Sequence, residues 1–392
     1  MPNPLAAHYA RFRVAERLLL TGHSHQAWPD VALEGQVEAF DDAARLIDDK
    51  WERAFAKADE VREGFRRLLA DPGAQIALGA STHDLVLRFL SALDLRARPR
   101  IVTTDGEFHT LRRQLARLAE AGIEVVRQPA EPADALAERL AGAVDERTAA
   151  VFVSAVLFET ARIVPGLDVV AAACARTGTQ LVVDAYHALG AMPFPLAEQR
   201  LDDAWVIGGG YKYLQLGEGN CFLRVPAHGY ELRPAITGWY AEFAALTDEH
   251  DPGRVAYGRG AERFAGSTYD PTSHYRGARV MRFFAEHGLT AERLRESYRR
   301  QVDLLAARFD ALGAPDELIT RDRETPLDRY GAFLALRTPV AGELRAALAQ
   351  RGVLADSRGS WLRLGPAPYV SDEQLESAVG LLGEAIRSLR RA

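Results

Sequence analysis

Short runs of apolar and β-branched residues alternate along this chain with longer stretches whose apolar positions recur every three or four residues. IVTTD (101–105), IEVVRQ (123–128), AAVFVSAV (149–156), QLVVDA (180–185) and DAWVIGG (203–209) read as strands. Between them lie LRRQLARLAEAG, ADALAERLAGAV and LDVVAAACARTG, which carry helical periodicity. Two of these three end on glycine, the residue that most readily takes the left-handed backbone closing a helix. The strands are nearly continuous apolar runs, so both of their faces need covering. The pattern predicts an α/β protein with a mostly parallel sheet and helices on both faces.

The texture changes near residues 251–280, where DPGRVAYGRGAERFAGSTYDPTSHYRG is rich in glycine and polar residues. Two helical segments follow, GARVMRFFAEHG and TAERLRESYRRQVDLLAARFDALG. After them come the strand YGAFLALRT, the helix GELRAALAQRG, WLRLGPAPY and a last helix. We expect a large domain over 31–270 and a smaller C-terminal α/β domain over 281–392. The first 30 residues should join the small domain and reach the active site.

Composition narrows the function. With 392 residues, 48% of them hydrophobic, the chain can bury one large core and a smaller second one. A formal charge of −6 gives no basic field for nucleic acid or an anionic membrane surface, so neither is an expected partner. The only two cysteines, Cys174 and Cys221, lack metal-ligand spacing and suggest neither a zinc site nor a disulfide framework. No apolar run approaches the ~18 residues of a membrane span, and the amino terminus has no signal-peptide pattern. A cytoplasmic location is expected.

LVVDAYHALG (181–190) puts Asp184 at the carboxyl end of an apolar strand, where ligands of open parallel sheets bind. From the residues alone, Asp184 is either such a ligand group or the cap of a helix starting near Tyr186. GGGYKYLQLGEGN (208–220) places Lys212 on a glycine-rich turn after the next strand. There it is either a surface lysine or one drawn from solvent with a lowered pKa, as Schiff-base chemistry requires. An acid and a lysine at adjacent strand ends suit pyridoxal phosphate, because the carboxylate keeps the pyridinium nitrogen protonated and the lysine holds the aldehyde.

LVVDAYHALG followed by GGGYKYLQLGEGNCFLRVP resembles the fold type I pyridoxal-phosphate enzymes, and within them the class V aminotransferase superfamily, most closely kynureninase. Asp184, His187, Tyr211 and Lys212 match that pattern position by position. The resemblance implies a seven-stranded large domain and pyridoxal 5′-phosphate as cofactor. In IALGASTHDLVLRFLSAL (76–93) it implies that Ser81 and Thr82, at the start of a helix, hold the cofactor phosphate; by themselves they could be simple caps. In GEFHT it implies that Phe108 stacks on the pyridine, although a core phenylalanine reads the same way. RPAITGWYAEF and AGSTYDPTSHY resemble segments that meet the phosphate partly across a dimer interface, which assigns Trp239, Ser267 and Thr268, with Asp270 beside them, and implies a homodimer. WLRLGP resembles the signature whose arginine grips the substrate α-carboxylate, here Arg363; an ordinary surface pairing is the alternative.

The shared machinery defines an enzyme acting on an amino acid without choosing the reaction. Lys212 would move the α-proton, Asp184 would hold the ring charge, and Tyr211 would donate a proton or bind phosphate. His187 would orient Asp184 or support the ring, or serve as a structural histidine. The leading expectation is kynureninase-like hydrolysis of kynurenine or a related γ-keto amino acid to alanine and an acid. A C–S β-lyase, an aminotransferase or an epimerase is the alternative, and a non-catalytic descendant the third. A cysteine desulfurase is disfavoured, since no cysteine follows Cys221. The chain departs from the kynureninase pattern in LTGHSHQAWP (20–29), where His23 and His25 flank Ser24. These three are assigned to substrate contact rather than to a metal, because two histidines without a third ligand make a poor site.

Overall fold

The computed structural model describes residues 3–245, 251 and 253–389. Its strands, in chain order, are β1 (Leu18–Leu19), β2 (Gln75–Gly79), β3 (Arg100–Thr104), β4 (Glu124–Gln128), β5 (Thr148–Ser154), β6 (Gln180–Asp184), β7 (Trp205–Gly209), β8 (Cys221–Val225), β9 (Leu334–Arg337), β10 (Val353–Leu354), β11 (Asp356–Arg358) and β12 (Trp361–Leu364). The α-helices are α1 (Val31–Leu46), α2 (Lys50–Leu68), α3 (Thr82–Ser91), α4 (His109–Glu120), α5 (Leu136–Gly142), α6 (Leu167–Thr177), α7 (Thr272–Glu286), α8 (Ala291–Ala311), α9 (Ala341–Gln350) and α10 (Asp372–Leu389).

Seven strands form one sheet in the order β2-β8-β7-β6-β5-β3-β4. Every neighbouring pair from β7 to β4 is parallel, and β8 runs antiparallel to both β7 and β2. The expected mostly parallel sheet is therefore present, with one reversed strand. At the centre, every residue of β5 is buried, as a strand covered on both faces must be. Two apolar clusters flank the sheet, one around Val151, Val153 and Val183 and the other around Phe89, Phe152 and Trp205. Helix α6 is framed by Gly166 and Gly178, both with positive φ, which explains why LDVVAAACART starts and stops where it does.

A three-stranded antiparallel sheet, β11-β12-β9, lies in the C-terminal part, with α8 and α9 against it and α10 packed on those two helices. The amino terminus is tied to this part. Strand β1 pairs in parallel with β10, and the Gln374 amide donates to the carbonyls of Val14 and Arg17 at 2.8 and 2.7 Å. An isolated bridge joins Thr21 to Gly365 and carries the HSH segment to the end of β12. Among the described residues, no helix is long and apolar enough to cross a membrane.

Candidate active site

The carboxyl ends of the parallel strands converge on a cavity of ≈ 270 Å³. Its lining includes Ser154 at the end of β5, Asp184 at the end of β6, Tyr211 and Lys212 after β7, and Ser81 and Thr82 after β2. Parallel strands point their last side chains and the loops that follow to the same edge, so the topology alone brings together residues from Ser81 to Lys212.

Lys212 is 5% exposed. Its Nζ lies 2.8 Å from His187 Nε2, and within 4.5 and 5.3 Å of the ring centres of Tyr186 and Phe108. Burial drives its pKa from 10.5 down to about 7; the nearby Asp184 carboxylate opposes this and the Arg363 charge adds to it. A large share of Lys212 is thus neutral near pH 7, the form in which an amine attacks a carbonyl or accepts a proton. The surface-lysine reading is excluded by this environment. The glycines before it have a packing role: a Cβ on Gly209 would collide with Tyr186 and Cys221, so only glycine lets β7 pass this close under the cavity.

Asp184 caps no helix near Tyr186, yet it lies at the cavity. Its Oδ1 accepts from Tyr186 N at 2.8 Å, closing a turn rather than a helix, while the residue lines the cavity. Burial raises its pKa, and the Tyr186 N–H and the Lys212 charge pull the other way. His187 is held well below its ordinary pKa by burial and then by the charges of Lys212 and Arg363, so it is neutral and shares a proton with Lys212. Its Nδ1 lies 3.5 Å from the Tyr213 hydroxyl. Tyr211, pushed up to about 12 by burial, stacks against His25 with ring centres 4.9 Å apart.

At the other end of the cavity, Ser81 is the N-cap of α3 and accepts from Asp84 N at 3.1 Å. Thr82 Oγ1, beside Cys221, and His83 Nδ1 are buried without a hydrogen-bond partner. Two unmet polar atoms at a helix N-terminus form a place for an anion. Phe108 lines the wall of the cavity, edge-on to Phe158 at 5.5 Å.

Several assigned residues lie elsewhere. Trp239 is 43% exposed and donates from Nε1 to Thr268 Oγ1 at 2.8 Å; neither these two nor Ser267 lines the cavity of their own chain. Asp270 accepts from Thr272 N and the Thr272 hydroxyl, an N-terminal turn of α7. The HSH segment is split by the fold. His23 is fully buried against Phe333, while His25 is exposed, 3.2 Å from Ser24 Oγ through Nδ1 and 3.8 Å from Glu218 through Nε2. Burial lowers the His23 pKa to about 3. Among the described residues, no group of three or more His, Cys, Asp or Glu gathers as a metal site. Arg363 is 3% exposed, between the rings of Phe158 and Phe333, and is ion-paired to Asp356. A surface pairing is therefore the wrong description of it.

The structure also adds residues that the sequence did not single out. Glu107, 2% exposed, accepts from Thr104 Oγ1 and Ser154 Oγ, both at 2.7 Å, and from Ser154 N at 3.1 Å. Burial raises its pKa to about 7, and the charge of Asp184 adds to the effect. It clamps the loop carrying Phe108 to the end of β5. Its signal was its place beside Phe108 in GEFHT. His83, Tyr186, Glu218 and Cys221 also line the cavity, and His83 and Tyr186 are chain neighbours of Thr82 and His187.

No family model matches the chain. It is 28% identical over 334 residues to isopenicillin N epimerase of Streptomyces clavuligerus, covering 81% of each chain. It is also 28% identical over 289 residues to 2-aminoethylphosphonate–pyruvate transaminase of Burkholderia pseudomallei, covering 70% of this chain and 72% of the relative. Its fold matches the cysteine desulfurase of Thermococcus onnurineus with a TM-score of 0.81 at 16% identity, over 99% of both chains. A variant of the protein C-DES with glycine linked to its pyridoxal-phosphate cofactor matches with a TM-score of 0.83 at 17% identity, over 97% of this chain and 99% of the other. The chain is thus similar in sequence and fold to class V aminotransferase-like enzymes of the pyridoxal-phosphate superfamily. Within that superfamily the relatives include an epimerase and a transaminase as well as desulfurase folds, so the likeness narrows to no one reaction.

Proposed function

We propose that this protein is a pyridoxal-phosphate-dependent enzyme of amino-acid metabolism. The observation that carries the proposal is one cavity holding a buried, partly neutral Lys212, the strand-end carboxylate of Asp184, and unmet polar atoms at the N-terminus of α3. These residues fit the cofactor. Thr82, His83 and the N–H groups of α3 would hold its phosphate, Asp184 its pyridine nitrogen, Phe108 the face of its ring, and Lys212 its aldehyde carbon. When bound, pyridoxal phosphate supplies an electron-withdrawing ring that stabilises negative charge at the substrate Cα.

The chain's own groups provide the rest. Neutral Lys212 accepts the proton from Cα, and His187 at 2.8 Å shares it. Arg363 holds the α-carboxylate, and the rings of Phe158 and Phe333 keep it dry, which strengthens the pairing. Tyr211 and His25, stacked at the rim, contact the substrate side chain together with Ser24. The finer reaction we favour is kynureninase-like hydrolytic cleavage, supported by the match of Asp184, His187, Tyr211 and Lys212 to that pattern. The epimerase and transaminase relatives support proton transfer at Cα without cleavage as the second reading.

A homodimer is part of the proposal. Leu33, Val37 and Phe40 form an exposed stripe on α1, with Phe40 74% exposed, and Ile236, Trp239 and Phe243 add exposed apolar surface. With Trp239, Ser267 and Thr268 outside their own cavity, a second copy would carry them to its neighbour's phosphate end. Sedimentation velocity tests the dimer: a monomer at micromolar concentration would remove it.

The reaction is tested by visible absorption of protein reconstituted with pyridoxal phosphate, followed by kynurenine in the same cuvette with anthranilate fluorescence recorded. A visible band that Lys212→Ala abolishes supports the cofactor and lysine assignments, and anthranilate release supports cleavage. A band without release shifts the reaction to the second reading. A band unaltered in Lys212→Ala would overturn the site.

A further inference from the structure

Arg363 already carries a carboxylate supplied by its own chain. Asp356 and Arg363 are direct cross-strand partners on β11 and β12, and Asp356 Oδ2 is ion-paired to Arg363 Nη2. The other oxygen, Oδ1, accepts from Arg358 Nη1 at 2.6 Å. Asp356 thus bridges two arginines in different surroundings: the Arg363 side chain is 4% exposed and that of Arg358 38%. Arg363 Nη1 donates to the Phe158 carbonyl, and its Nε is buried with no hydrogen-bond partner. His23 Nε2 lies 3.6 Å from Asp356 Oδ2, and neither ring nitrogen of His23 makes a hydrogen bond. The buried side of the cluster is therefore closed by the Asp356–Arg363 pair while two buried polar groups beside that pair stay unmet. In a native interior such groups are rare and mark either an unfinished network or a second arrangement.

We propose that Asp356 is a resident counter-anion of the substrate site, which holds Arg363 until the α-carboxylate of an amino acid displaces it and then remains paired to Arg358. The proposal rests on the reading of Arg363 as the carboxylate holder. A planar guanidinium takes an incoming carboxylate through two parallel N–H bonds, and the unpartnered Nε–H with Nη2–H forms such an edge once Asp356 leaves Nη2. The displaced Asp356 keeps its bond to the more exposed Arg358 and so is not stranded as a buried unpaired charge, the outcome that makes such exchanges expensive. The substrate class that opens the pair is an α-amino acid. An amine without a carboxylate leaves Arg363 and Asp356 closed. The apparent affinity for amino acids is then set by how often the pair is open.

The test is equilibrium binding rather than turnover. Protein reconstituted with pyridoxal phosphate is titrated with L-alanine and with ethylamine, which differ by the carboxylate, and the visible spectrum is recorded for the native chain, Asp356→Asn, Arg358→Ala and Arg363→Ala. Asp356→Asn is expected to bind L-alanine on the order of tenfold more tightly, the factor for a closed arrangement populated about nine times in ten, with ethylamine unchanged. Arg358→Ala is expected to bind L-alanine more weakly, since Arg363 is then the one arginine paired to Asp356, whose Oδ1 keeps the Ser357 N–H but no cation. Opposite signs for these two variants are not produced by a merely structural role, and Arg358→Ala decides alone if Asp356→Asn does not fold. L-Alanine binding that is unchanged or weaker in Asp356→Asn, or unchanged in Arg358→Ala, overturns the proposal. If Arg363→Ala keeps the native preference for L-alanine over ethylamine, the reading of Arg363 itself falls, and the proposal with it.

Discussion

Lys212 makes the folded chain less stable than it would be with an apolar side chain, and the size of that penalty depends on pH. Its pKa falls from 10.5 to about 7 on folding because burial disfavours the ammonium form. Between these two values the unfolded chain binds the proton and the folded chain does not, so stability rises with pH across that window. At 1.36 kcal/mol per unit, the penalty is about 4 kcal/mol near pH 7.5 and about 1 kcal/mol near pH 10. Lys212→Met fills similar space without a charge. It also leaves His187 Nε2 without its partner, a cost that hardly varies over this range because His187 is neutral throughout. The stability difference between Lys212→Met and the native chain should therefore fall by about 3 kcal/mol in the variant's disfavour from pH 7.5 to pH 10. Urea unfolding of the cofactor-free proteins at several pH values measures it. A difference that stays flat across the window would refute the desolvation argument, and with it the reason Lys212 is reactive near neutrality.

Four further outcomes follow from particular contacts. Thr82→Val replaces a buried, unpartnered hydroxyl, so the cofactor-free protein should be as stable or more stable by up to about 1–3 kcal/mol, while pyridoxal-phosphate affinity measured by fluorescence titration drops; equal affinity would move the phosphate elsewhere. Ser81→Ala removes the α3 cap and should cost about 1 kcal/mol in urea unfolding; no loss would mean the bond to Asp84 N contributes nothing. Glu107 has a folded pKa raised from 4.5 to about 7, so the native chain should lose stability relative to Glu107→Gln as pH rises through that interval and run parallel to it above about pH 7; parallel curves throughout would show a Glu107 that titrates normally. Gly365→Ala would drive a Cβ into the His23 ring and backbone and should cost about 1–3 kcal/mol, read as a lowered melting temperature.

The expectation of a mostly parallel sheet was legible because buried strands are written as apolar runs, and β3 to β7 fall within two residues of the segments read that way. Strands β2 and β8 were harder to read. CFLRV lies inside a motif noticed for its lysine, and its antiparallel direction depends on a reversal through the GEGN turn that hydrophobic pattern does not encode. Asp184 and Lys212 could be picked out because one ends an apolar strand and the other sits on the turn just after the next, and a strand end is a place that sequence marks.

What only the tertiary structure decided is which side chains meet across distant segments. The HSH triplet looked like one feature, yet the bridge from Thr21 to Gly365 buries His23 against Asp356 and leaves His25 exposed and stacked on Tyr211. Arg363 looked like a free carboxylate clamp, and the register of β11 on β12 sets Asp356 opposite it. Glu107 became part of the site only when β3 and β5 were laid side by side, bringing Ser154 within 2.7 Å. By itself the sequence determined the alternation of strand and helix and the two chemical anchors at strand ends, since periodicity and chain direction are local. Ion-pair partners, buried protonation states and the occupant of Arg363 depend on strand register, on neighbours brought from other segments and on the exclusion of water, and those exist only once the chain has folded.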